Sequence, residues 1–226
     1  MKNKNIKKER VIRYFVEATL EIIESEGIGA VTARKVADMA GYTVSTLYNH
    51  FDNLDYLLFF SSIHYLKDYA LALPEYIKGI ENPITAYIKV CECFNTYAFR
   101  NPAAYRMVFF SGFSAKYNDA VKLFYTIFPE ELPSDDFRYL PVLMNNDIHA
   151  RDYQFLLDAA REGYLSEEAV TDISHLSTML FKGMLERLIA YPNQFTAEDA
   201  AWKATVYLAH ILIGYGISEE LLAEYL

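Results

Sequence analysis

The segment Val31–Phe51, VTARKVADMAGYTVSTLYNHF, constrains this chain more than any other. Thr32 is a residue type whose hydroxyl accepts from an orphan N–H in a first helical turn. Val31 and Val36 stand at the two positions of a hydrophobic staple around it. Val36, Ala37 and Ala40 make one apolar face at helical spacing. Gly41 follows where a helix ends in a left-handed residue. Thr43 caps a second helix, with Tyr42 and Leu47 as its staple. Leu47 and Phe51, four apart, face inward there, which leaves Val44, Ser45, Thr46, Tyr48 and Asn49 outward or along the rim. Two short helices about such a turn form either a helix-turn-helix or an ordinary hairpin with a solvated face. The outward residues favour the first. Ser and Thr hydroxyls bond base edges and phosphates, a Thr methyl meets a thymine methyl, and helix N-termini attract phosphate.

Ala40-Gly41-Tyr42-Thr43-Val44-Ser45-Thr46-Leu47-Tyr48-Asn49-His50-Phe51 resembles the TetR family of bacterial transcriptional regulators. That family's pattern runs Ala-Gly-Val-Ser-x-Gly-Thr-Leu-Tyr-x-His-Phe, with a Lys three residues on. The specific motif covers roughly the first quarter of the chain. The resemblance implies an all-α fold: a three-helix DNA-binding head over residues 1–52, and a helical effector-binding and dimerisation domain over 53–226. It places Thr43, Val44, Ser45, Thr46, Tyr48 and Asn49 on or at the start of a recognition helix, and His50 at a phosphate. Thr32 and Arg34 would meet the DNA backbone, with Arg34 able to reach a base. Three positions depart from the pattern. Tyr42 replaces a small aliphatic residue, Ser45 the frequent Gly, and Leu54 the usual Lys, which removes a phosphate contact.

A net charge of −9 argues at first against a nucleic-acid partner, but its distribution does not. Residues 1–60 hold eight Lys/Arg and eight Asp/Glu, so the remainder carries the whole −9. The first thirteen residues alone sum to +5. A basic arm on a neutral head is compatible with salt-dependent DNA binding, and equally with a frayed solubilising tail. At 53% hydrophobic the chain is expected to be globular. It has no bilayer-length apolar run and no signal peptide, so a cytoplasmic protein with no membrane partner is expected. Cys91 and Cys93 point about 200° apart on a helix. They are expected as small residues of a helical interior, with no metal site, disulfide or cofactor.

Helical patterning continues along the chain. A first helix is expected over about Lys7–Glu26, ended by Gly27 and Gly29. Asp52 or Asn53 caps a long fourth helix bearing Leu54, Leu57, Leu58, Ser61 and Tyr65. Pro74, Gly79 and Asn82-Pro83 break the chain before a helix over about Ile84–Phe99. Further helices are expected from Asn101-Pro102, over Ser114–Phe128 and over Ile148–Glu162. Ser134–Met144, interrupted by Pro141, reads as a loop or a short helix. Ser166 starts a long helix ending before Pro192, with Ile173, Leu176, Leu180, Gly183, Met184, Arg187 and Leu188 on one face. Thr196 caps the last helix, striped by Ala197, Ala201, Ala204, Thr205, Leu208 and Leu212. These stripes serve intramolecular packing or a homodimer. The resemblance implies a dimer through the last two long helices, on two operator half-sites.

Of 35 aromatic residues, 27 follow residue 60. Tyr-rich interiors face either a packed core or a cavity. The second reading gives a small-molecule effector of largely apolar or aromatic character. His64, Asn95, Arg106, Phe109 and His149 are its candidate contacts. The acidic balance outside the head says little about a pocket's charge. Enzyme chemistry has weak support. Asp135-Asp136 is flanked by Pro133 and reads as a turn or cap, and Asp172 with His175 lacks the second copy that a di-iron site needs. No phosphate loop, nucleophile elbow or dinucleotide fingerprint occurs. The expected function is a ligand-responsive repressor on a near-palindromic operator. The alternative is a dimeric ligand-binding protein whose DNA affinity is weak or lost.

Overall fold

The computed structural model describes residues 2–131, 145 and 147–226; the Ser134–Met144 expectation lies outside them. The described residues are helical and contain no strand. In chain order the helices are α1 (Lys2–Glu26), α2 (Ala33–Ala40), α3 (Val44–Tyr48), α4 (Leu54–Ser62), α5 (Leu66–Tyr76) and α6 (Pro83–Arg100). There follow α7 (Pro102–Phe110), α8 (Tyr117–Ile127), α9 (Ile148–Arg161), α10 (Glu167–Ala190) and α11 (Ala197–Gly214). None is long and apolar enough to cross a membrane. The chain divides into two compact units: Met1–Lys67 with Met107–Leu132, and Asp68–Arg106 with Pro133–Leu226.

In the first unit α1 begins at Lys2, five residues before the sequence expectation. Its Phe15, Val16 and Ile22 are fully buried beside Val36, Leu47 and Phe51. The unit also takes in α8, which packs on α1 and α4. Phe60 and Phe124 meet edge-on, with ring centroids 5.6 Å apart. Arg13 of α1 bonds both Glu130 and the carbonyl of Ile127 at the end of α8. That carbonyl is one of the orphan acceptors every helix leaves at its C-terminus. The expected long fourth helix is interrupted. Ser62 donates its hydroxyl back to the Leu58 carbonyl, and Ile63–Tyr65 tighten into a 3-10 turn before α5. Such back-bonding bends helices.

The second unit is built on α6, α9, α10 and α11. Side-chain caps fix all four starts: Asn82, Asp147, Ser166 and Thr196. α5 runs on through Pro74 to Tyr76, where a break was expected, and the chain turns at Gly79 with φ 73°. The core joins Ile84 and Ile88 to Leu156, Ile173, Leu208 and Leu212. The stripe Ala201, Ala204, Thr205, Leu208 and Leu212 is buried within this unit, and α11 packs most extensively on α6. Of the two uses the sequence left open for that stripe, intramolecular packing accounts for it.

Candidate DNA interface and effector cavity

The helix pair α2–α3 forms as its local chemistry dictates. Thr32 accepts from Lys35 N–H at 3.2 Å and caps α2. Gly41, at φ 75°, ends it; Gly41 N–H reaches the Asp38 carbonyl and Tyr42 N–H the Ala37 carbonyl. That double bond pattern is the Schellman motif, and its left-handed residue strongly favours glycine. Thr43 then accepts from Thr46 N–H at 3.1 Å, and the two hydroxyls lie 2.9 Å apart. Tyr42 is not a local disturbance. Its ring packs 5.4 Å from Phe15 and 6.3 Å from Tyr14, so the bulk replacing a small aliphatic residue is taken up on α1.

Leu47 anchors α3 inward at 0% exposure. Ser45, Tyr48 and Asn49 are exposed, as are Thr32, Arg34 and Thr43; Val44, Thr46 and His50 are half-buried. These nine side chains flank the start of α2 and the length of α3. Among the described residues Arg34 is held only by Asp38, 3.8 Å away and itself exposed. His50 behaves differently from a freely solvated imidazole. Its Nδ1 is buried with no hydrogen-bond partner among the described residues. Burial, with some help from the Lys8 charge, lowers its pKa, so at neutral pH the ring is an uncharged donor and not a cation.

The second unit holds a cleft partly open to solvent, with about 560 Å³ of space between its walls when the open solvent is counted. Aromatic walls come from Tyr69, Phe94, Phe155 and Phe181. Phe94 meets Phe181 at 4.9 Å and Tyr69 at 5.1 Å. One corner is polar. Asp152 Oδ2 accepts from the Tyr87 hydroxyl at 2.9 Å and from the Ser177 hydroxyl, and Oδ1 takes the Cys91 thiol at 3.8 Å. Burial pushes the Asp152 carboxyl up to about 7, against the pull of these bonds and, more weakly, of Arg151. The same burial raises the Tyr87 phenol and the Cys91 thiol, so both stay protonated donors at neutral pH.

Asn95, buried at 7% exposure, lines this cavity. The other expected contacts stand elsewhere. His64 lies in the first unit, with its Nδ1 2.9 Å from both oxygens of buried Glu131. Arg106 faces Glu186 at 3.7 Å. Phe109 is buried beside Tyr117. His149 Nδ1 lies 3.3 Å from the Ser174 carbonyl, and its ring stands edge-on to His175. Sequence reasoning passed over Asp152, Ser177 and Cys91. One signal was present: Tyr87, Cys91 and Asn95 recur every four residues, a polar line on one face of α6.

A capped helix pair about a left-handed glycine, with a hydroxyl-rich outer face, has the local form of a helix-turn-helix. Residues 15–59 match the family described as bacterial regulatory proteins, tetR family. No curated protein matches the chain. Among solved structures, FadR of Thermus thermophilus, a TetR-family transcriptional repressor in complex with lauroyl-CoA, is similar at TM-score 0.59 and 12% identity, over 92% of this chain and 95% of its own. RolR in complex with resorcinol is similar at 0.57 and 14%, over 98% and 95%. A transcriptional regulator from Rhodococcus sp. Rha1 gives 0.52 and 14%, over 92% and 98%. At such identities the likeness shows the shared fold.

Proposed function

We propose that the protein is a ligand-responsive repressor that binds a near-palindromic operator as a homodimer and is released by a small-molecule effector. On this reading residues 1–52 read DNA, and 53–226 bind effector and dimerise. Thr32, Arg34, Thr43, Val44, Ser45, Thr46, Tyr48, Asn49 and His50 contact the duplex. The observation that carries the reading is the pairing of an exposed, doubly capped recognition helix with a separate aromatic-walled cavity in the same chain. The effector is largely apolar or aromatic, a reading the aromatic cavity walls support; FadR and RolR hold lauroyl-CoA and resorcinol.

The dimer uses the outer faces of α10 and α11. Leu176, Met179, Trp202 and Tyr207 are exposed there, between 39% and 66%. Effector binding biases the dimer toward a head spacing that no longer fits adjacent major grooves. Operator must then weaken effector binding by the same factor. Selection of random duplexes by the purified protein at moderate salt, followed by sequencing, tests the reading. A recovered near-palindrome supports it. A folded protein that recovers no motif sinks it and favours the DNA-silent ligand-binding alternative. One feature favours that alternative: Leu54, where the family carries Lys, is a half-buried apolar residue opening α4.

A further inference from the structure

We propose that the effector is an organic cation, a protonated amine on a mainly aromatic body, with its nitrogen seated at the Asp152 corner of the cavity. This rests on the effector-cavity reading above and adds the ligand's charge. The corner is assembled by three helices: Tyr87 and Cys91 from α6, Asp152 from α9 and Ser177 from α10. All three groups bonded to the carboxylate are neutral. They satisfy acceptor positions without cancelling the charge.

The distribution of those bonds leaves a place for a ligand. A carboxylate offers about four acceptor positions. Oδ2 holds both hydroxyls, whereas Oδ1 holds the Cys91 thiol, a weak donor, at 3.8 Å. An N–H donor from the cavity therefore meets Oδ1. A neutral hydroxyl would add one hydrogen bond there and leave the charge as it was. An ammonium group supplies the bond and the compensating charge together, and a charge-assisted bond is roughly twice as strong.

The cavity's own cation does not fill this role. Arg151 is buried and immediately precedes Asp152 on α9, so the two side chains diverge by about 100°. Its guanidinium lies 5.5 Å from the centroid of Phe94. Its charge acts on the Asp152 carboxyl more weakly than any of the three hydrogen bonds.

Phenethylamine, phenethyl alcohol and phenylacetate share one aromatic body and differ in charge. Their binding to the full chain is measured by calorimetry at about pH 8, where the Asp152 carboxyl is ionised and the amine still protonated, with wild type, Asp152→Asn and the cavity-filling Ala204→Leu. Thermal melts establish that each variant is folded. The expected result is that the amine binds at least about tenfold more tightly than the alcohol, and that Asp152→Asn reduces this preference to within about twofold. The cation assignment is overturned if the alcohol or the acid binds as tightly as the amine, or if Asp152→Asn keeps the preference. If a neutral or anionic probe wins and Ala204→Leu abolishes its binding, the effector cavity stands and only the charge is wrong. If no probe binds at millimolar concentration, both the cation and the cavity reading fall. DNA reading is judged separately by duplex selection.

Discussion

Asp152→Asn is expected to make the protein's stability less sensitive to pH, in a direction set by burial. The folded carboxyl sits at about 7, raised from 3.8, so between those values the folded chain holds a proton that the unfolded chain has released. Stability therefore falls as pH rises through that window and levels off above it. Each pH unit is worth about 1.4 kcal/mol, so from about pH 5 to about pH 8 the wild type loses about 3 kcal/mol through this group. Asp152 is only half-buried, and the resulting solvent screening makes that an upper figure. Asparagine cannot ionise, and its amide can still pair with the Tyr87 and Ser177 hydroxyls after they rotate. The variant should match or trail the wild type near pH 5 and exceed it near pH 8. Urea unfolding at fixed protein concentration, on both proteins at both pH values, reads the difference. Other titrating groups cancel in that comparison. Parallel curves for the two proteins would refute the assignment of a half-buried, uncompensated carboxylate.

Four further outcomes are expected. Tyr48→Ala should reduce affinity for the selected operator by more than about tenfold with the helical content unchanged; retention within about threefold, in a gel-shift titration, would move the recognition face off α3. Thr43→Ala removes the hydroxyl that caps α3 and should lower unfolding stability by about 1 kcal/mol. Gly41→Ala meets no neighbouring atom within 4 Å but must hold φ 75°, so calorimetric melting should show a loss of about 1–2 kcal/mol from backbone strain alone. Trp202→Glu places a charge on the outer face of α11, where Trp202 is 50% exposed, and should shift the protein from dimer to monomer in sedimentation while the melt of each chain persists.

Legibility in the sequence followed the range of the interactions involved. Caps and turns are local, so Thr32, Gly41, Thr43, Ser166 and Thr196 could be read three residues at a time, and each takes its place in the structure. Breaks proved less legible. Pro74 reads as a stop, yet α5 absorbs it two residues before its end. Ser61 and Tyr65 read as one helical face, yet the chain tightens into a 3-10 turn between them, next to the bond Ser62 makes back to Leu58. A hydroxyl's choice between water and the preceding turn is not written in spacing. The small residues of α11 were legible as a close-packing stripe, but their partner was not. Only the assembled unit shows that α6 takes that stripe, leaving Trp202 and Tyr207 outward.

The cavity's chemistry was the least legible part, for a related reason. Charge along the chain is a sum over mostly solvated groups, and water at a high dielectric makes each of them nearly irrelevant to a ligand several ångströms away. The 22 acidic residues after position 60 therefore predict nothing about effector charge. One of them, Asp152, matters because three helices carry it out of water and surround it with neutral donors. Its weight comes from desolvation, a property of tertiary packing that periodicity does not encode. The four-residue recurrence of Tyr87, Cys91 and Asn95 marks where polar groups enter the interior, and such groups stay buried only with partners.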